Sequence, residues 1–561
     1  MSSCRFLPFA ALALCAVGHA EAPPTPQPVY VYLESRIDDH LNPEIGDQKL
    51  RRTVSLLERL RQSNPRFRPS CVYSVTGAVS QLFSTYNAGN KIVDSMKAAV
   101  TGEVIEVGYD GAAEPTDRQR PRPNFRTGNS PEDRWRARSQ ALDWFLTEFK
   151  NFITGEPDPT VAGGLKRTQE VFGEVVWISG VSEELGGDPE LVHLLNRYNR
   201  SAILPGLPES HTYPARNVHG YAGSISGISD LMSPEPGYAP EVFWQDGHLR
   251  ISETSGPAVK PFVALDGPEK LKELLSKLDR SRPHVIRVRL GPDRLHLKAD
   301  FLAANPSPVR YCYETPKFAR IPVEALRPQE EVDAGFRQEE TLLRWLAEDY
   351  FPANPGSGFV SAAALRRMAA ASHPEQVSIA SLRAAAANLV KRWKGTVPSA
   401  YAQAGPDSYS LADMFLLLAN ALATAHRTGQ VPASVPLTPV YGPLQMTDEL
   451  GPNAGEVTAG AIAAKASELT GQLNDRTWKP VPSNAVPEWV TVDGIKLTCA
   501  QFLRLMAEAI MAPSPAATLP VRMSGVYSEA SSIYPYSARR HSEMGATWTL
   551  KPARLRDPIA R

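Results

Sequence analysis

The sequence lacks an excess of either charge sign. Its 60 Lys and Arg residues balance 60 Asp and Glu residues, so the formal net charge at pH 7 is +0. A basic surface of the kind that binds nucleic acid or acidic lipid is therefore not expected. Hydrophobic residues make up 42% and charged residues 21% of the chain, which is typical of globular proteins.

Cysteines and long apolar runs are also scarce. Cys4 and Cys15 lie in the first 20 residues, and Cys71, Cys312 and Cys499 lie beyond them. Three cysteines do not make a disulfide framework. Cys71 and Cys312 lie on predicted strands and could pair, but we expect buried free thiols. After the N-terminal region no stretch reaches about 18 uninterrupted apolar residues. We therefore expect no transmembrane segment.

Several catalytic sequence motifs are missing. The chain has no glycine-rich phosphate loop, no G-x-S-x-G elbow, no H-E-x-x-H helix and no C-x-x-C pair. These absences argue against nucleotide chemistry and against serine hydrolysis.

The N-terminus resembles a secretory signal peptide. Arg5 precedes the apolar run 6–17, and Gly18 and Ala20 are small residues at the positions that a signal peptidase reads. We predict a signal peptide over 1–20 that is cut after Ala20, then a proline-rich leader over 21–28. The alternative is lipidation at Cys15, for which the preceding Leu14 is poorly suited. The expected location is periplasmic or secreted.

A chain of 561 residues is expected to form two or three domains. Over 29–322, strand and helix patterns alternate, which favours an α/β fold. We predict a deformed parallel (β/α) barrel of about seven strands. The predicted strands are Val29–Asp38, Cys71–Thr76, Glu103–Tyr109, Glu174–Ser179, Ser201–Leu204, a hairpin over Glu241–Glu253, His284–Leu290 and Val309–Tyr313.

The pattern changes after residue 322. We predict an acidic linker over 323–340, a mainly α-helical domain over 341–511 and a low-pattern tail of loops or disorder over 512–561. The helical domain contains a repeat, because Ser410–Leu422 aligns without gaps with Thr498–Ile510. Each copy starts with a hydroxyl residue suited to a helix N-cap.

The main candidate site follows the first predicted strand. An apolar run over Val29–Leu33 leads to the adjacent residues Asp38, Asp39 and His40. Ligands and catalytic groups gather at the carboxyl ends of strands in α/β proteins. Two carboxylates beside an imidazole could hold a divalent metal or divide the roles of ligand and base. The alternative is a polar turn with solvated acids.

A strand that ends in Asp38-Asp39 within such a domain resembles the NodB-type polysaccharide deacetylases. The resemblance implies that Asp38 is the general base and Asp39 a metal ligand. The family's second motif has two histidines four residues apart, but here Asp110 stands at the first position and no histidine at the second. Asp110, His40 and Glu114 remain as candidates around the metal. Such a carboxylate-rich set suits Mg, Ca or Mn better than zinc.

Other polar residues are candidates for contact with substrate. His211 and His219 lie in a long loop that could overhang the barrel mouth, although two unrelated loop histidines are the alternative. Glu253 ends a predicted strand and is a further candidate.

The helical domain resembles a second family. Residues 486–510 begin Val-Pro-Glu-Trp-Val-Thr-Val-Asp-Gly and continue to the hydroxyl residue Thr498 and a helix that contains Gln-Phe-Leu, and the predicted helix Thr458–Leu473 precedes them. This arrangement is similar to the pseudomurein-binding repeat, which implies attachment to a cell-wall glycopeptide polymer. The alternative is that the segment is only a stable helical packing unit.

These observations predict an exported envelope protein that acts on or binds polysaccharide. The expected chemistry is metal-dependent deacetylation of N-acetylated sugars. One alternative is a non-catalytic glycan-binding relative with a degenerate metal motif. Another is a glycoside hydrolase that uses two carboxylates, such as Asp39 and Asp110, whose separation would decide its mechanism.

Overall fold

The computed structural model describes residues 26–36, 42–110, 164–179, 204–205, 237–245, 247–251, 261–305, 321–370, 374–444, 446–475, 483–533 and 544–556. Within these ranges the chain forms two units. An α/β unit is built around a parallel sheet, and a second unit is mainly helical with short two-stranded ribbons. The last described strand returns from the second unit to the first.

The α/β unit runs to residue 370. Its strands are β1 Val29–Arg36, β2 Cys71–Val75, β3 Ile105–Asp110, β4 Trp177–Ser179, β5 Leu204–Pro205, β6 Tyr238–Gln245, β7 His248–Ile251, β8 Phe262–Val263, β9 His284–Leu290 and β10 Gly358–Phe359. Its helices are α1 Pro43–Ser63, α2 Gly77–Asn90, α3 Ile92–Thr101, α4 Gly164–Phe172, α5 Gly267–Ser276, α6 Ala299–Ala304, α7 Gln329–Trp345 and α8 Ala362–Ala370.

Seven strands form the parallel sheet. Their order is β4-β3-β2-β1-β9-β8, with β10 also paired to β1. Every pairing is parallel, so the carboxyl ends of these strands lie at one edge of the sheet. The α/β class with a parallel sheet is therefore confirmed. Among the described residues the outer strands β4 and β8 are not paired with each other.

The two faces of the parallel sheet have different partners. On one face Val29, Val31 and Leu33 of β1 share an apolar core with residues of helices α1 to α5 and α7. Residues of opposite parity point to the other face, because side chains alternate along a strand. There Tyr32 packs with side chains of β6, β7 and α8 rather than with the layer of helices.

The second unit contains two copies of one six-element pattern. The first copy comprises β11 Gln376–Ser378, α9 Ile379–Arg392, β12 Tyr401–Ala404, β13 Asp407–Ser410, α10 Leu411–Thr428 and β14 Ser434–Pro436. The second comprises β15 Glu456–Thr458, α11 Ala459–Leu473, β16 Trp489–Val492, β17 Ile495–Thr498, α12 Cys499–Ala509 and β18 Thr518–Pro520. In each copy the first and last strands pair, and a hairpin precedes the second helix.

Both helix starts predicted from the aligned segments are found. Ser410 caps α10 and Thr498 caps α12, each in a capping box with the third helical residue, Asp413 or Gln501. The copies pack reciprocally, since the second helix of each contacts the first helix of the other. Because each helix pair buries its apolar face against the other copy, the two copies share one core.

The segment 323–340 is not a linker, which corrects the prediction. Helix α7 begins at Gln329, and Leu342 and Leu343 near its end are fully buried in the core of the α/β unit. The acidic residues of its first turns lie on its solvent side or near its N-terminus, where negative charge is favourable. Only a narrow stripe of α7 is buried, so its acidic sequence has few apolar residues and resembles that of a linker.

The tail 512–561 is also better ordered than predicted. Strand β18 completes the second copy, and strand β19 Lys551–Arg554 pairs antiparallel with β6 in a sheet of order β19-β6-β7-β5. Lys551 reaches Asp413 through a buried ion pair of 2.6 Å. The C-terminal segment thereby fastens the helical unit to the α/β unit.

No helix among the described residues is long and apolar enough to cross a membrane. Cys71 is a buried free thiol, and so is Cys499. Cys312, the proposed partner of Cys71, lies outside the described residues.

A buried imidazole makes the stability of the α/β unit depend on pH. Nδ1 of His284 lies 2.7 Å from Oε1 of Glu241, and Nε2 lies 2.9 Å from the carbonyl oxygen of Asp279. Both neighbours are acceptors, so only the doubly protonated ring satisfies them. Burial alone would lower the pKa of His284, but the hydrogen bond to Glu241 and its charge raise that pKa above the ordinary value.

A raised pKa stabilises the fold below the unfolded value of about 6.5, and this contribution is lost as pH rises through the folded value. We expect the melting temperature to fall as pH rises above about 6.5. His284→Gln should make the melting temperature depend less on pH over this range. His426→Gln, at an exposed helix position, is the control and should leave the slope unchanged. An identical pH slope in wild type and His284→Gln would contradict the prediction.

Candidate functional site at the carboxyl edge of the parallel sheet

The predicted site lies where β1 and β3 end. Strand β1 ends at Arg36, two residues before Asp38, and β3 ends at Asp110. Arg36 pairs with Ser74 of β2, which in turn pairs with Gly108 of β3. Asp110 lies two residues further along β3, beside Ser179 of β4. The structure therefore places Asp110 at the same edge from which the Asp38-Asp39 segment departs.

Most of the predicted site residues lie outside the described residues. These are Asp38, Asp39, His40, Glu114, His211, His219 and Glu253. Among the described residues, no group of three or more His, Cys, Asp or Glu side chains is arranged to hold a metal ion. The roles assigned to these residues from the sequence stay predictions.

A buried charge cluster that was not predicted lies just below this edge. Oε2 of Glu34 on β1 accepts hydrogen bonds from Nε (3.0 Å) and Nη2 (2.7 Å) of Arg287 on β9. Its Oε1 accepts from Nε (3.2 Å) and Nη2 (3.1 Å) of Arg289. The side chains of Glu34 and Arg287 are 5% and 7% exposed, whereas that of Arg289 is 29% exposed. The cluster thus opens toward solvent at Arg289.

Glu34 is ionised at neutral pH. Burial alone would raise the pKa of Glu34, but the guanidinium groups of Arg287, Arg289 and Arg36 outweigh it and lower the pKa to about 2. A carboxylate that has this pKa and accepts four hydrogen bonds stays ionised near neutral pH and is a poor proton donor there. Glu34 therefore anchors the strands and the arginines rather than serving as a general acid.

Aromatic rings line the same face deeper in the sheet. The guanidinium of Arg287 lies 5.2 Å from the ring centroid of Trp177, and the rings of Tyr32 and Trp177 are 5.7 Å apart. The hydroxyl of Tyr32 is buried without a hydrogen-bond partner among the described residues. Burial raises the pKa of Tyr32 well above its ordinary value, with the negative charges of Glu106 and Glu34 acting in the same direction. Tyr32 is therefore a neutral phenol.

The second carboxylate on this face has a structural task. Glu106 of β3 accepts hydrogen bonds from the backbone N–H groups of Ala362 (2.7 Å) and Ala363 (3.0 Å) at the start of α8. Burial raises the pKa of Glu106, and these two bonds oppose that shift. Glu106 caps the N-terminus of α8, which packs on this face of the sheet. Glu106, like Glu34, therefore has a structural role.

Two buried side chains hold the ends of β1 and β9 in place. Nζ of Lys49, on α1, donates a 2.7 Å hydrogen bond to the carbonyl oxygen of Arg36. Glu339 of α7 accepts a 2.7 Å bond from the N–H of Gly291, directly after β9. Burial raises the pKa of Glu339 to about 7, against the opposing effects of the Gly291 bond and Lys49. A Cβ at Gly291 would lie 2.6 Å from Cε of Lys49, so the close approach requires glycine.

The segment that follows the Asp38-Asp39 pair is also anchored. The side chain of Asn42 donates to the carbonyl oxygen of Ile321 (3.2 Å) and accepts from its N–H (3.0 Å). With Lys49 on Arg36, this pair fixes the chain on both sides of residues 37–41.

Glu34 should be essential for the fold. Glu34→Gln leaves Arg287 buried and brings two guanidinium groups together without their carboxylate. We expect a loss of about 3 kcal/mol in the free energy of unfolding, measured by urea denaturation at pH 7. Glu340 also contacts two arginines but at the surface, so Glu340→Gln should cost less than about 1 kcal/mol. Equal losses in the two variants would show that the buried cluster has no special importance.

Comparison with known proteins adds little. No family model matches the chain, and no curated protein matches it. Among solved structures, a 4-alpha-glucanotransferase from Thermococcus litoralis is similar, with 12% identity and a TM-score of 0.25 over 62% of this chain. The match spans 43% of the glucanotransferase chain. A TM-score this low supports no conclusion about fold or activity.

Proposed function

We propose that this protein is exported and handles polysaccharide in a cup at the carboxyl edge of its parallel sheet. The observation that carries the proposal is the strand order. Strands β1 to β4 follow one another outward from β1, and β9 returns to the other side of β1 with β8 beyond it. This sequential order, with a late strand beside the first, is that of a (β/α) barrel. We infer that the sheet closes into a NodB-like barrel.

The polarity of the inner face supports a cup open at one end. Near the amino-terminal ends of the strands, Val285 packs against Leu365 and Met368 of α8. Toward the carboxyl ends the same face carries Arg36, Arg289 and the buried Glu34. Sugar-binding sites need such polar groups above a closed, packed floor.

The favoured reaction is hydrolytic removal of an N-acetyl group. Asp38 would accept a proton from water, and Asp39, Asp110 and His40 would hold a divalent ion. Such an ion, when bound, would lower the pKa of a ligated water and polarise the acetamide carbonyl. The position of Asp110 at the edge fits a carboxylate-rich set, which favours Mg or Mn over zinc. Glu114, His211, His219 and Glu253 would contact the glycan.

A binding protein without catalysis is the second candidate. The observation that favours it is Asp110 itself, which ends β3 where the deacetylase pattern has the first of its two histidines. With fewer imidazole ligands the metal affinity would fall, while the polar cup and its arginines would still bind glycan. A two-carboxylate glycosidase using Asp39 and Asp110 would need a separation of about 5 Å or about 6.5–9.5 Å.

Metal content and acetate release test the leading proposal together. We expect the purified full chain to bind about one divalent ion per molecule and to release acetate from chitin oligosaccharides. Asp39→Ala should lose both properties, with a rate loss of at least about 100-fold. Asp300→Ala, at an exposed position on α6, should change neither. A wild-type protein that holds no metal and releases no acetate is not a deacetylase. If that protein still binds glycan, the result supports the non-catalytic binding protein.

The repeated helical unit is proposed to attach the protein to the cell wall. Its support is the resemblance to the pseudomurein-binding repeat together with the two-copy architecture. We expect the full chain to sediment with purified cell-wall sacculi. Retention should persist in Asp39→Ala, because that residue lies in the other unit. Sedimentation no greater than that of an inert protein of similar size would leave the helical unit as a packing element alone.

A further inference from the structure

Glu339 of α7 is a buried acid whose surroundings differ from those of Glu34. It is 1% exposed, and it accepts a 2.7 Å hydrogen bond from the N–H of Gly291, the residue that follows β9. Glu34 accepts four hydrogen bonds from two guanidinium groups. A neutral backbone donor compensates the lost hydration of a carboxylate far less than two bound cations do. The two acids should therefore bind protons in different pH ranges.

Their pKa values differ in this way. Burial raises the pKa of Glu339 to about 7, against the Gly291 hydrogen bond and the charge of Lys49. The pKa of Glu34 is lowered to about 2. Glu34 thus keeps its charge over the whole range in which Glu339 gains or loses a proton. Of these two acids, Glu339 is the one that responds to pH near neutrality.

Two titratable groups of neighbouring elements act on Glu339. Lys49 of α1 lies with its aliphatic stem beside Gly291. On β2 the thiol of Cys71 is neutral, because burial and then the charges of Glu34, Glu339 and Glu106 raise its pKa. Other charged groups on α7 and on the elements packed against it are Arg52 with Asp333, Arg59 with Glu340, Arg344 with Glu340 and Glu348, Arg294 with Asp266, Lys272 over the ring of Trp345, and Asp293.

Glu339 links α7 to the turn that follows β9. This turn begins at Gly291, whose φ of +56° is in the left-handed region that glycine adopts easily. Further along the turn, Leu295 packs with Val332 and Phe336 of α7. The turn is therefore held on α7 by an apolar contact at one end and by the Glu339 hydrogen bond at the other. If Glu339 moves into water, the polar half of this attachment is lost.

A rise in pH favours that movement. A carboxyl group in water has a pKa of about 4.3, so a released Glu339 loses its proton at a lower pH than the buried one does. Between the two pKa values the buried state binds more protons than the released state, and a rise in pH shifts the equilibrium toward release. Above about pH 7 both states are ionised, and the shift is complete.

We propose that Glu339 is a pH-sensitive latch on the carboxyl end of β9. The protonated side chain stays buried against Gly291 and keeps the turn 291–297 closed on α7. Loss of the proton makes opening of this turn more frequent. Mildly acidic surroundings therefore order this part of the carboxyl edge, and neutral surroundings loosen it. The latch does not depend on the proposed glycan function.

Hydrogen–deuterium exchange of the full chain tests the latch, with each rate corrected for the intrinsic exchange rate at that pH. In wild type, the protection factor of peptides covering 289–296 should fall at least about 10-fold between pH 5.5 and pH 7.5. Glu339→Gln keeps a carbonyl acceptor for Gly291 but cannot ionise, so its protection should change less than about twofold. Unchanged protection in wild type, or an equal fall in Glu339→Gln, overturns the proposal.

Two control variants separate the latch from other titrating groups. Glu340→Gln removes the adjacent carboxylate at the surface of α7 and should show the wild-type fall. His284→Gln removes the buried imidazole at the start of β9 and should also keep the fall at 289–296. A fall that disappears in His284→Gln but persists in Glu339→Gln belongs to the imidazole and overturns the latch.

A comparison within wild type decides if Glu339→Gln does not fold. Peptides over the central strand β2 should keep their protection between pH 5.5 and pH 7.5, because the latch opens only the turn after β9. A larger fall at 289–296 than at 71–75 supports the latch. Falls of equal size at both places report a loss of global stability and overturn it.

Discussion

The carboxylate of Glu34, held between the guanidinium groups of Arg287 and Arg289, is the interaction on which the α/β unit depends. It joins β1, the first strand, to β9, which returns beside it after all the other strands except β10. The barrel-like order of the strands requires this late strand to lie beside the first. The ion pairs of Glu34 with Arg287 and Arg289 add a side-chain link to the backbone pairing of β1 with β9. Since the cluster lies on the face that packs with β6, β7 and α8, it also sets the charge of that face near its carboxyl edge.

Contacts on the same face support the proposal of a functional site at its carboxyl edge. Below the cluster, helix α8 and the strands β6, β7 and β19 pack an apolar floor, and Glu106 is committed to the start of α8. Above it, Lys49, Glu339 and Asn42 fix the chain where β1 and β9 end. Glu34, Glu106 and Glu339 therefore have structural roles, and the proposed site lies at the edge where β3 ends with Asp110.

Sequence patterns predicted the parts of the fold that local forces decide. Strand His284–Leu290 and the capped starts of α10 and α12 follow from alternation and hydroxyl caps. Helix α7 was missed because only a narrow stripe of it is buried, and β19 because Lys-Pro-Ala-Arg forms a strand only by pairing with β6. The Glu34 cluster was missed too, although charges at alternate positions in two apolar strands (Glu34 and Arg36, Arg287 and Arg289) were a visible signal. Their meeting depends on β9 lying beside β1, which no local pattern reveals.

The most direct test of the carboxyl-edge site is hydrogen–deuterium exchange of the full chain with and without an N-acetylated oligosaccharide. The account predicts that the ligand slows exchange in peptides covering 36–42, 108–114 and 289–296, which adjoin the ends of β1, β3 and β9. Peptides from the hairpin β12–β13, in the other unit, should not change. Protection confined to the helical unit, or the absence of protection at all three strand ends, would contradict a glycan site at this edge.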